Sequence, residues 1–135
     1  MVTINLSYPG DLRVQAKHGP SGVELCTDAP IDNQGKGESF SPTDLLATAL
    51  GSCMLTIMGI SARDKSIPLE GTRAIVEKHM SEDEPRRVSA LDVRIEIPHR
   101  LDSRAMLIMR KAAETCPVAQ SISPDILLRL ELVCI

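Results

Sequence analysis

The sequence predicts a single α+β domain in which antiparallel sheets surround one long, buried central helix. Three observations carry this prediction. Short alternating segments fill the first thirty residues, an uninterrupted apolar segment runs from Pro42 to about Lys65, and alternating segments return after Pro68. A chain of 135 residues is long enough for one domain with a core and short for two. We therefore expect residues 1–135 to form one domain.

The N-terminal third has the pattern of a three-stranded meander. Residues 2–7 alternate between apolar and polar side chains, and similar short segments follow at 12–17 and 23–26. Turn-forming residues separate them, Pro9-Gly10 first and residues 19–22 next. The polar stretch 28–38 then predicts a surface loop that leads into a helix.

The start of the central helix is marked by three residues. Ser41 suits the N-cap, Pro42 suits the first helical position, and Asp44 can complete a variant of the capping box. From Pro42 to about Lys65 nothing stops a helix, so the sequence predicts an element about 36 Å long.

The apolar residues of this helix are not confined to one stripe, which is typical of a helix buried on all sides. The run from Leu45 to Ile60 covers 16 residues, which is short for a membrane span, and small polar residues interrupt it. We therefore interpret it as a buried helix of a soluble protein. Because a small domain has difficulty covering such a helix, we expect a homodimer in which Gly51 and Ser52 permit close approach of a second copy.

The C-terminal half alternates strands with one more helix. Strands are predicted at 72–80, at 91–97 and at 128–134, with a charged turn at 81–87. Apolar residues at helical spacing predict a second helix over 101–115, and Pro117 makes its continuation unfavourable. A short helical turn is expected at 117–121.

Composition excludes several classes of function. Lys and Arg number 15 against 18 Asp and Glu, so a net charge of −3 gives no cationic field for nucleic acid or an anionic membrane. Tyr8 and Phe40 are the only aromatic residues, so any pocket is expected to be aliphatic. The first residues lack the pattern of a secretion signal, and the cysteines and histidines lack zinc-site spacing. We expect a cytoplasmic protein without a metal or cofactor.

Two of the four cysteines are candidates for reactive thiols. Cys26 and Cys134 lie in predicted strands, where a cysteine is usually a small core residue. Cys53 lies midway along the central helix, about 16 Å from its start, so the helix dipole cannot stabilise its thiolate. Cys116 immediately precedes Pro117, where backbone N–H groups can favour a thiolate. The residues alone leave open that both are inert.

The segments around these two cysteines resemble one known family. The stretch Phe40-Ser-Pro-Thr-Asp-Leu-Leu-Ala-Thr-Ala-Leu-Gly-Ser-Cys53, together with Thr115-Cys-Pro-Val-Ala119, is similar to the OsmC/Ohr family of osmotically inducible and organic hydroperoxide resistance proteins. The order of elements matches over nearly the whole chain. The resemblance implies an OsmC-like fold and an intertwined homodimer with two active sites at the subunit interface.

The resemblance also implies a chemistry and its residues. Cys53 is similar to the peroxidatic cysteine of the family, Cys116 to the resolving one, and Arg13 to the arginine that steadies the thiolate. Arg63 and Arg73 are rivals for that last role. The implied reaction reduces organic hydroperoxides through a sulfenic acid and a disulfide, with a dithiol or a lipoylated protein as the reductant.

The sequence departs from the family pattern at the start of the central helix. The family has a glutamate directly after the helix-opening proline, whereas this chain has Thr43 there and a carboxylate one place later, at Asp44. We expect Asp44 to take over the task of holding the arginine. Four helix residues are the expected lining of the substrate pocket: Leu50, Met54, Ile57 and Met58.

Two other classes of function remain open. The missing glutamate fits a non-catalytic OsmC-like binding or stress-response module with an aliphatic pocket. A cysteine hydrolase or transferase is the other alternative, although none of the three histidines is linked by a motif to Cys53.

Overall fold

The computed structural model describes residues 1–135, which form two compact units, residues 1–46 and residues 47–135. The prediction of one domain over residues 1–135 stays a prediction. The elements of the first unit are β1 (Ile4–Gly10), β2 (Arg13–His18), β3 (Glu24–Asp28), a 3-10 turn (Ile31–Asn33) and the first residues of α1 (Pro42–Lys65). The second unit contains the rest of α1 with β4 (Arg73–Met80), β5 (Val88–Ile97), α2 (Ser103–Glu114) and β6 (Leu127–Cys134). The predicted α+β class is confirmed.

The first unit contains an antiparallel sheet in the order β1-β2-β3, as the meander pattern predicts. Leu6, Ala16 and Leu25 stand opposite one another across the three strands and form an apolar row on one face. Leu6 is 68% exposed and Leu25 is 46% exposed. The other face carries Arg13 and Asp28, which are register partners. The N-terminal sheet therefore presents one uncovered apolar face and one face with a charged pair.

The second unit contains a sheet in the order β4-β5-β6. The sequence predicts antiparallel sheets, and the β5–β6 pairing corrects this, because these two strands run parallel. The physical reason is the crossover connection through α2, which carries the chain from the end of β5 back to the end of the sheet where β5 begins, so that β6 starts there and runs in the same direction. Val76, Val93 and Leu130 form a cross-strand row on the core-facing side of this sheet.

The long helix α1 has the predicted bounds. The Ser41 hydroxyl accepts a hydrogen bond from the Asp44 N–H at 3.1 Å, and the Asp44 carboxylate accepts one from the Ser41 N–H at 2.8 Å. This is a capping box, which satisfies two N–H groups at the helix start. At the other end Ser66 has a positive φ of 52°, a left-handed conformation that ends the helix.

Within the chain, α1 is buried on one side only. Its buried residues are Ala47, Leu50, Gly51, Met54, Met58 and Ala62. Thr48, Ser52, Thr56 and Ile60 on the other side are exposed, so the expectation of a helix buried all round is not met by one chain. By length and composition α1 also meets the criterion for a membrane-spanning helix, and 33% of its most apolar window is buried in the chain. The core helix of a soluble protein meets the same criterion.

Gly51 lies at a contact within the chain, whereas the sequence analysis expects it to permit close approach of a second copy. A Cβ built on Gly51 would lie 2.8 Å from Cγ2 of Val76, so the missing side chain lets α1 approach β4 closely. The small residue therefore serves packing within the chain, and Ser52, which is exposed, is the one of the two residues still available to a second copy in the expected homodimer.

Candidate active site

The structure brings Cys53 and Cys116 together although 63 positions separate them in sequence. Cys53 is half-buried on α1, and Cys116 is completely buried just after the end of α2. The two thiols are near enough that Cys53 contributes to the raised pKa of the Cys116 thiol. Both residues belong to the second unit, whose sheet and helices fix their positions.

The position of Cys116 follows from the way α2 begins and ends. The Asp102 carboxylate caps the helix by accepting a hydrogen bond from the Ala105 N–H at 2.7 Å. After Glu114 the backbone leaves the helix, because Pro117 disfavours a helical conformation at the preceding residue. The expected helical turn at 117–121 is present only as hydrogen-bonded turns. These turns keep Cys116 buried beneath them.

The electrostatics of Cys116 differ from the expectation. The Ala119 N–H donates to the Cys116 sulfur at 3.4 Å, and this bond by itself favours the thiolate. Burial of the side chain has the larger effect and raises the pKa of the Cys116 thiol, and the neighbouring Cys53 raises it further. Cys116 is therefore held as a neutral thiol, which suits a resolving residue better than an attacking one.

Arg13 makes its ion pairs with two carboxylates of the first unit. Its guanidinium donates a hydrogen bond to the Glu38 carboxylate and lies 3.7 Å from Asp28 Oδ2. The hydrogen bond from Arg13 to Glu38 raises the pKa of the guanidinium, which is positively charged at any physiological pH. Asp44, expected to hold this arginine, forms the capping box with Ser41. Sequence reasoning missed Glu38, whose partner depends on the path of a loop, and Asp28, which the meander register could have indicated.

The two alternative candidates for the thiolate-stabilising arginine, Arg63 and Arg73, are poorly placed to act on Cys53. Arg63 follows Cys53 by ten residues on α1, which is about 15 Å along the axis, and is 80% exposed beside Asp64. Arg73 is hydrogen-bonded to Glu96 at 2.7 Å on the face of β4 opposite to Val76. Lys78 shares the α1-facing side of β4 with Val76, and sequence reasoning missed it.

Three of the expected pocket residues have no accessible surface. Leu50, Met54 and Met58 are 0% exposed, so they belong to the core of the second unit and cannot line an open pocket in this chain. Ile57 is half-buried. This corrects the expected lining, and the reason is the packing of α1 against the sheet of its own unit.

One group of side chains has the spacing of metal ligands. Ligand atoms of Glu77, His79 and Asp92 lie within 4.8 Å of one another on the outer face of the C-terminal sheet. The Asp92 carboxylate is already hydrogen-bonded to His79 at 3.0 Å and ion-paired with Arg129 at 3.0 Å. The positive charge of Arg129 would compete with a cation, so this group is better described as an ion-pair network.

Comparison with known proteins identifies the family. The family model of the OsmC-like proteins matches residues 35–131. A crystal structure from Psychrobacter arcticus 273-4, of a protein inferred to be an osmotic stress induced and detoxification response protein, is similar at 53% identity and a TM-score of 0.93, covering 98% of this chain and 96% of that chain.

Two more distant structures share the fold. An organic hydroperoxide resistance protein from Elizabethkingia anophelis has 15% identity and a TM-score of 0.82, covering 100% of this chain and 96% of that one. OhrB of Bacillus subtilis, an organic hydroperoxide resistance protein, has 13% identity and a TM-score of 0.75, with 98% of both chains covered. Comparison with curated proteins finds no match. On the match to its family model and the 53% identical relative, this chain belongs to the OsmC-like family.

Proposed function

We propose that this chain is a thiol-dependent peroxidase that reduces organic hydroperoxides to alcohols. The observation that carries the proposal is the pairing of a half-buried Cys53 with a buried, neutral Cys116. Membership of the OsmC-like family supports it, as does the fold shared with organic hydroperoxide resistance proteins.

The proposed reaction uses the two thiols in sequence. The Cys53 thiolate attacks the terminal oxygen of the hydroperoxide, the O–O bond breaks, and the alkoxide takes a proton to leave as an alcohol. Cys53 is now a sulfenic acid. The Cys116 thiol condenses with it, which releases water and forms a Cys53–Cys116 disulfide. Two thiol groups of an external dithiol, such as a lipoylated protein, then reduce the disulfide.

The proposal assigns the thiolate-stabilising charge to Arg13, on the family resemblance. Cys53 lies 11 residues beyond Pro42, outside the reach of the helix dipole, so a side chain must supply the charge. A cation within about 4 to 6 Å of a thiol can lower its pKa by about 1 to 3 units. The four free cysteines fit a reducing, cytoplasmic location, which is part of the proposal.

The proposal also includes a homodimer. The exposed side of α1 and the uncovered apolar row of the N-terminal sheet are two surfaces that a second copy would bury. A unit of 46 residues with an exposed apolar face is too small to be stable on the core it builds alone, so burial against a partner supports this arrangement.

Intact mass spectrometry after one equivalent of tert-butyl hydroperoxide tests the proposal. We expect the loss of two hydrogens, with peptide mapping that locates the disulfide between Cys53 and Cys116. Cys116→Ser should stop at a sulfenic acid on Cys53, and Cys53→Ser should not react. Cys26→Ser and Cys134→Ser are matched controls that should keep the wild-type disulfide.

A second candidate is a non-catalytic binding or stress-response module, which the replacement of the family glutamate by Thr43 favours. An unchanged mass after hydroperoxide treatment would support this module and reject the peroxidase. Full turnover with a dithiol in the Cys53→Ser variant would equally reject the assignment of the attacking thiol.

A further inference from the structure

We propose that the groove between the end of α1 and the start of α2 is a binding site for a small organic anion with an aliphatic body, of the class of a short-chain carboxylate or an alkyl phosphate. Every residue that lines the groove belongs to the second unit, so the site is formed within one compact unit. The proposal goes beyond the peroxidase activity and does not depend on it.

The groove has the size of a small-molecule site and lies apart from the two thiols. Its volume is about 440 Å³, which is within the range of known ligand pockets. On one side it is bounded by Lys65, the last residue of α1, and on the other by the first turns of α2. Lys65 follows Cys53 by twelve residues, which is about 18 Å along the helix axis. A ligand in this groove would therefore be separate from the candidate active site.

The apolar part of the groove is aliphatic. Ile67 follows the end of α1, whereas Ala105 and Ile108 stand three positions apart on α2 and so share one face of that helix. All three residues are half-buried, so part of their apolar surface is accessible from the groove. An alkyl chain can bury this surface, and an inorganic ion cannot.

Two cations stand at this groove without a carboxylate partner. Lys65 and Arg104 are both exposed, and neither forms an ion pair within the chain. By contrast, the arginines of the C-terminal sheet are ion-paired with carboxylates on neighbouring strands. In a chain with a net charge of −3, two unpaired cations beside one apolar groove favour an anionic ligand.

The one carboxylate at the groove, Asp102, has another role. It caps α2, because its Oδ1 accepts the hydrogen bond from the Ala105 N–H at 2.7 Å. Two cations and this one carboxylate leave a net charge of +1 along the groove. We infer that the ammonium group of Lys65 and the guanidinium of Arg104 bind the anionic group, since a guanidinium can donate two parallel N–H bonds to a carboxylate or a phosphate.

The experiment is a titration of the isotope-labelled full chain with sodium hexanoate, followed in two-dimensional amide NMR spectra. We expect saturable shifts at residues 65–67 and 104–108, with a Kd on the order of 1 mM. Hexyl phosphate should shift the same amides, and the tighter binder of the two identifies the preferred anionic group. The absence of saturable shifts with both compounds would overturn the proposal.

Two further compounds test the charge and the chain separately. Hexylamine has the same chain and the opposite charge, whereas acetate has the same charge and almost no chain. Each should bind roughly 10-fold more weakly than hexanoate, or less. If either binds as tightly as hexanoate, the groove does not recognise an aliphatic anion and the proposal is wrong.

Variants of the two cations test the assignment of the residues. Lys65→Ala and Arg104→Ala should each raise the Kd for hexanoate by roughly 5- to 10-fold, and Arg104→Lys should recover part of the affinity. Lys111→Ala is the matched control, because Lys111 is an exposed cation in the last turn of α2 that does not line the groove. An equal loss in Lys111→Ala would show general attraction to positive charge and contradict a defined site. Well-dispersed amide spectra show that each variant is folded.

Cys53→Ser separates this site from the proposed function. The variant should bind hexanoate with the wild-type Kd, whether or not the chain reduces hydroperoxides. If the largest shifts instead centre on the residues around Cys53 and Cys116, the anion occupies the candidate active site and the groove is not its site. A chain that forms no disulfide with hydroperoxide yet shows the expected shifts at the groove would reject the peroxidase alone.

Discussion

Cys53 and Cys116 differ in burial, and at the residue scale this difference separates their roles. In the proposed reaction the half-buried thiol on α1 is the one that a small substrate reaches, and the buried thiol with the raised pKa reacts only with a sulfenic acid formed beside it. Sequence reasoning named both residues as candidates, because each stands in a specific local motif. It gave the wrong preference for the Cys116 thiolate, because burial is a tertiary property that no local N–H signal reveals.

Arg13→Ala tests the proposal that Arg13 stabilises the Cys53 thiolate. We expect oxidation of Cys53 to slow by roughly 10- to 100-fold at neutral pH and to recover partly as pH rises toward about 8.5, the ordinary pKa of a thiol. Arg13→Lys should keep part of the charge effect and lose the guanidinium geometry. Stopped-flow rates against pH measure both.

The control for this prediction is Arg129→Ala, which removes an arginine from the outer face of the C-terminal sheet and should leave the profile unchanged. If Arg13→Ala keeps the wild-type rate and profile, another group supplies the charge that stabilises the Cys53 thiolate.

Lys78→Ala is then the next variant, because Lys78 lies on the α1-facing side of β4. Asp44→Asn tests the original expectation for Asp44, with a smaller loss than Arg13→Ala as the result that would support it.

Asp28 predicts a component of stability that depends on pH. Its pKa is lowered in the folded protein, mainly by the bond from the Glu38 N–H, so the ionised form stabilises the fold. This contribution is complete above about pH 4, the range of an unfolded aspartate, and is lost as pH falls through the lower folded value. Asp28→Asn should therefore lower the free energy of unfolding most above about pH 5.

Urea unfolding at several pH values measures this difference, which should shrink below about pH 3. Glu24→Gln is the matched control, since Glu24 is an exposed carboxylate paired with Lys17. A constant difference between wild type and Asp28→Asn across the acid range would contradict the prediction.

At the scale of elements, α1 was the most predictable part of the fold. Ser41, Pro42 and Asp44 are local signals, and they set the helix start because capping depends on residues three positions apart. The parallel pairing of β5 with β6 was not predictable, because alternation in a strand is the same for either direction. The ion pair of Arg13 with Glu38 was not predictable either, since the sequence of the loop at 29–38 has no periodic pattern from which its path could be read.

Gly51→Ala tests the contact between α1 and β4. The added methyl group would meet Val76 at 2.8 Å, so the helix or the strand must shift. We expect a loss of about 1–3 kcal/mol in the free energy of unfolding, which exceeds the gain in helix propensity of about 1 kcal/mol. Thermal and urea unfolding measure it.

The control for this prediction removes the contact between the new methyl group at position 51 and Val76. Gly51→Ala combined with Val76→Ala should be less destabilising than the sum of the single changes, because the smaller strand residue makes room for the methyl group. Strict additivity would show that the close approach to Val76 is not what requires glycine.

At the scale of the whole molecule, the surfaces left uncovered by one chain carry the proposal of a homodimer. The exposed side of α1 is formed mainly by small and polar residues, and the exposed row of the N-terminal sheet is apolar. We expect sedimentation at micromolar concentration to give about twice the mass of 14.7 kDa. A stable, soluble monomer at that concentration would remove the interface.

Ser52→Arg tests the interface from the helix side. A long charged side chain at this exposed position should prevent close approach of a second copy, and we expect aggregation rather than clean monomers. Ser103→Arg, an equally drastic change at the exposed start of α2, should leave the sedimentation profile unchanged. Equal profiles for wild type and Ser52→Arg would place the interface elsewhere.

The juxtaposition of two thiols 63 positions apart also has a consequence for chain entropy. A bond between them would close a loop that contains the rest of α1, β4, β5 and α2, and a loop of that length would restrict the unfolded ensemble by about 4 kcal/mol. The oxidised protein should therefore melt at a clearly higher temperature than the reduced one, which calorimetry with and without tert-butyl hydroperoxide can measure, with Cys116→Ser showing no such rise. Because folding and disulfide formation are thermodynamically linked, a disulfide that stabilises the fold is itself stabilised by folding. The disulfide should therefore be harder to reduce in the folded protein than in the unfolded one.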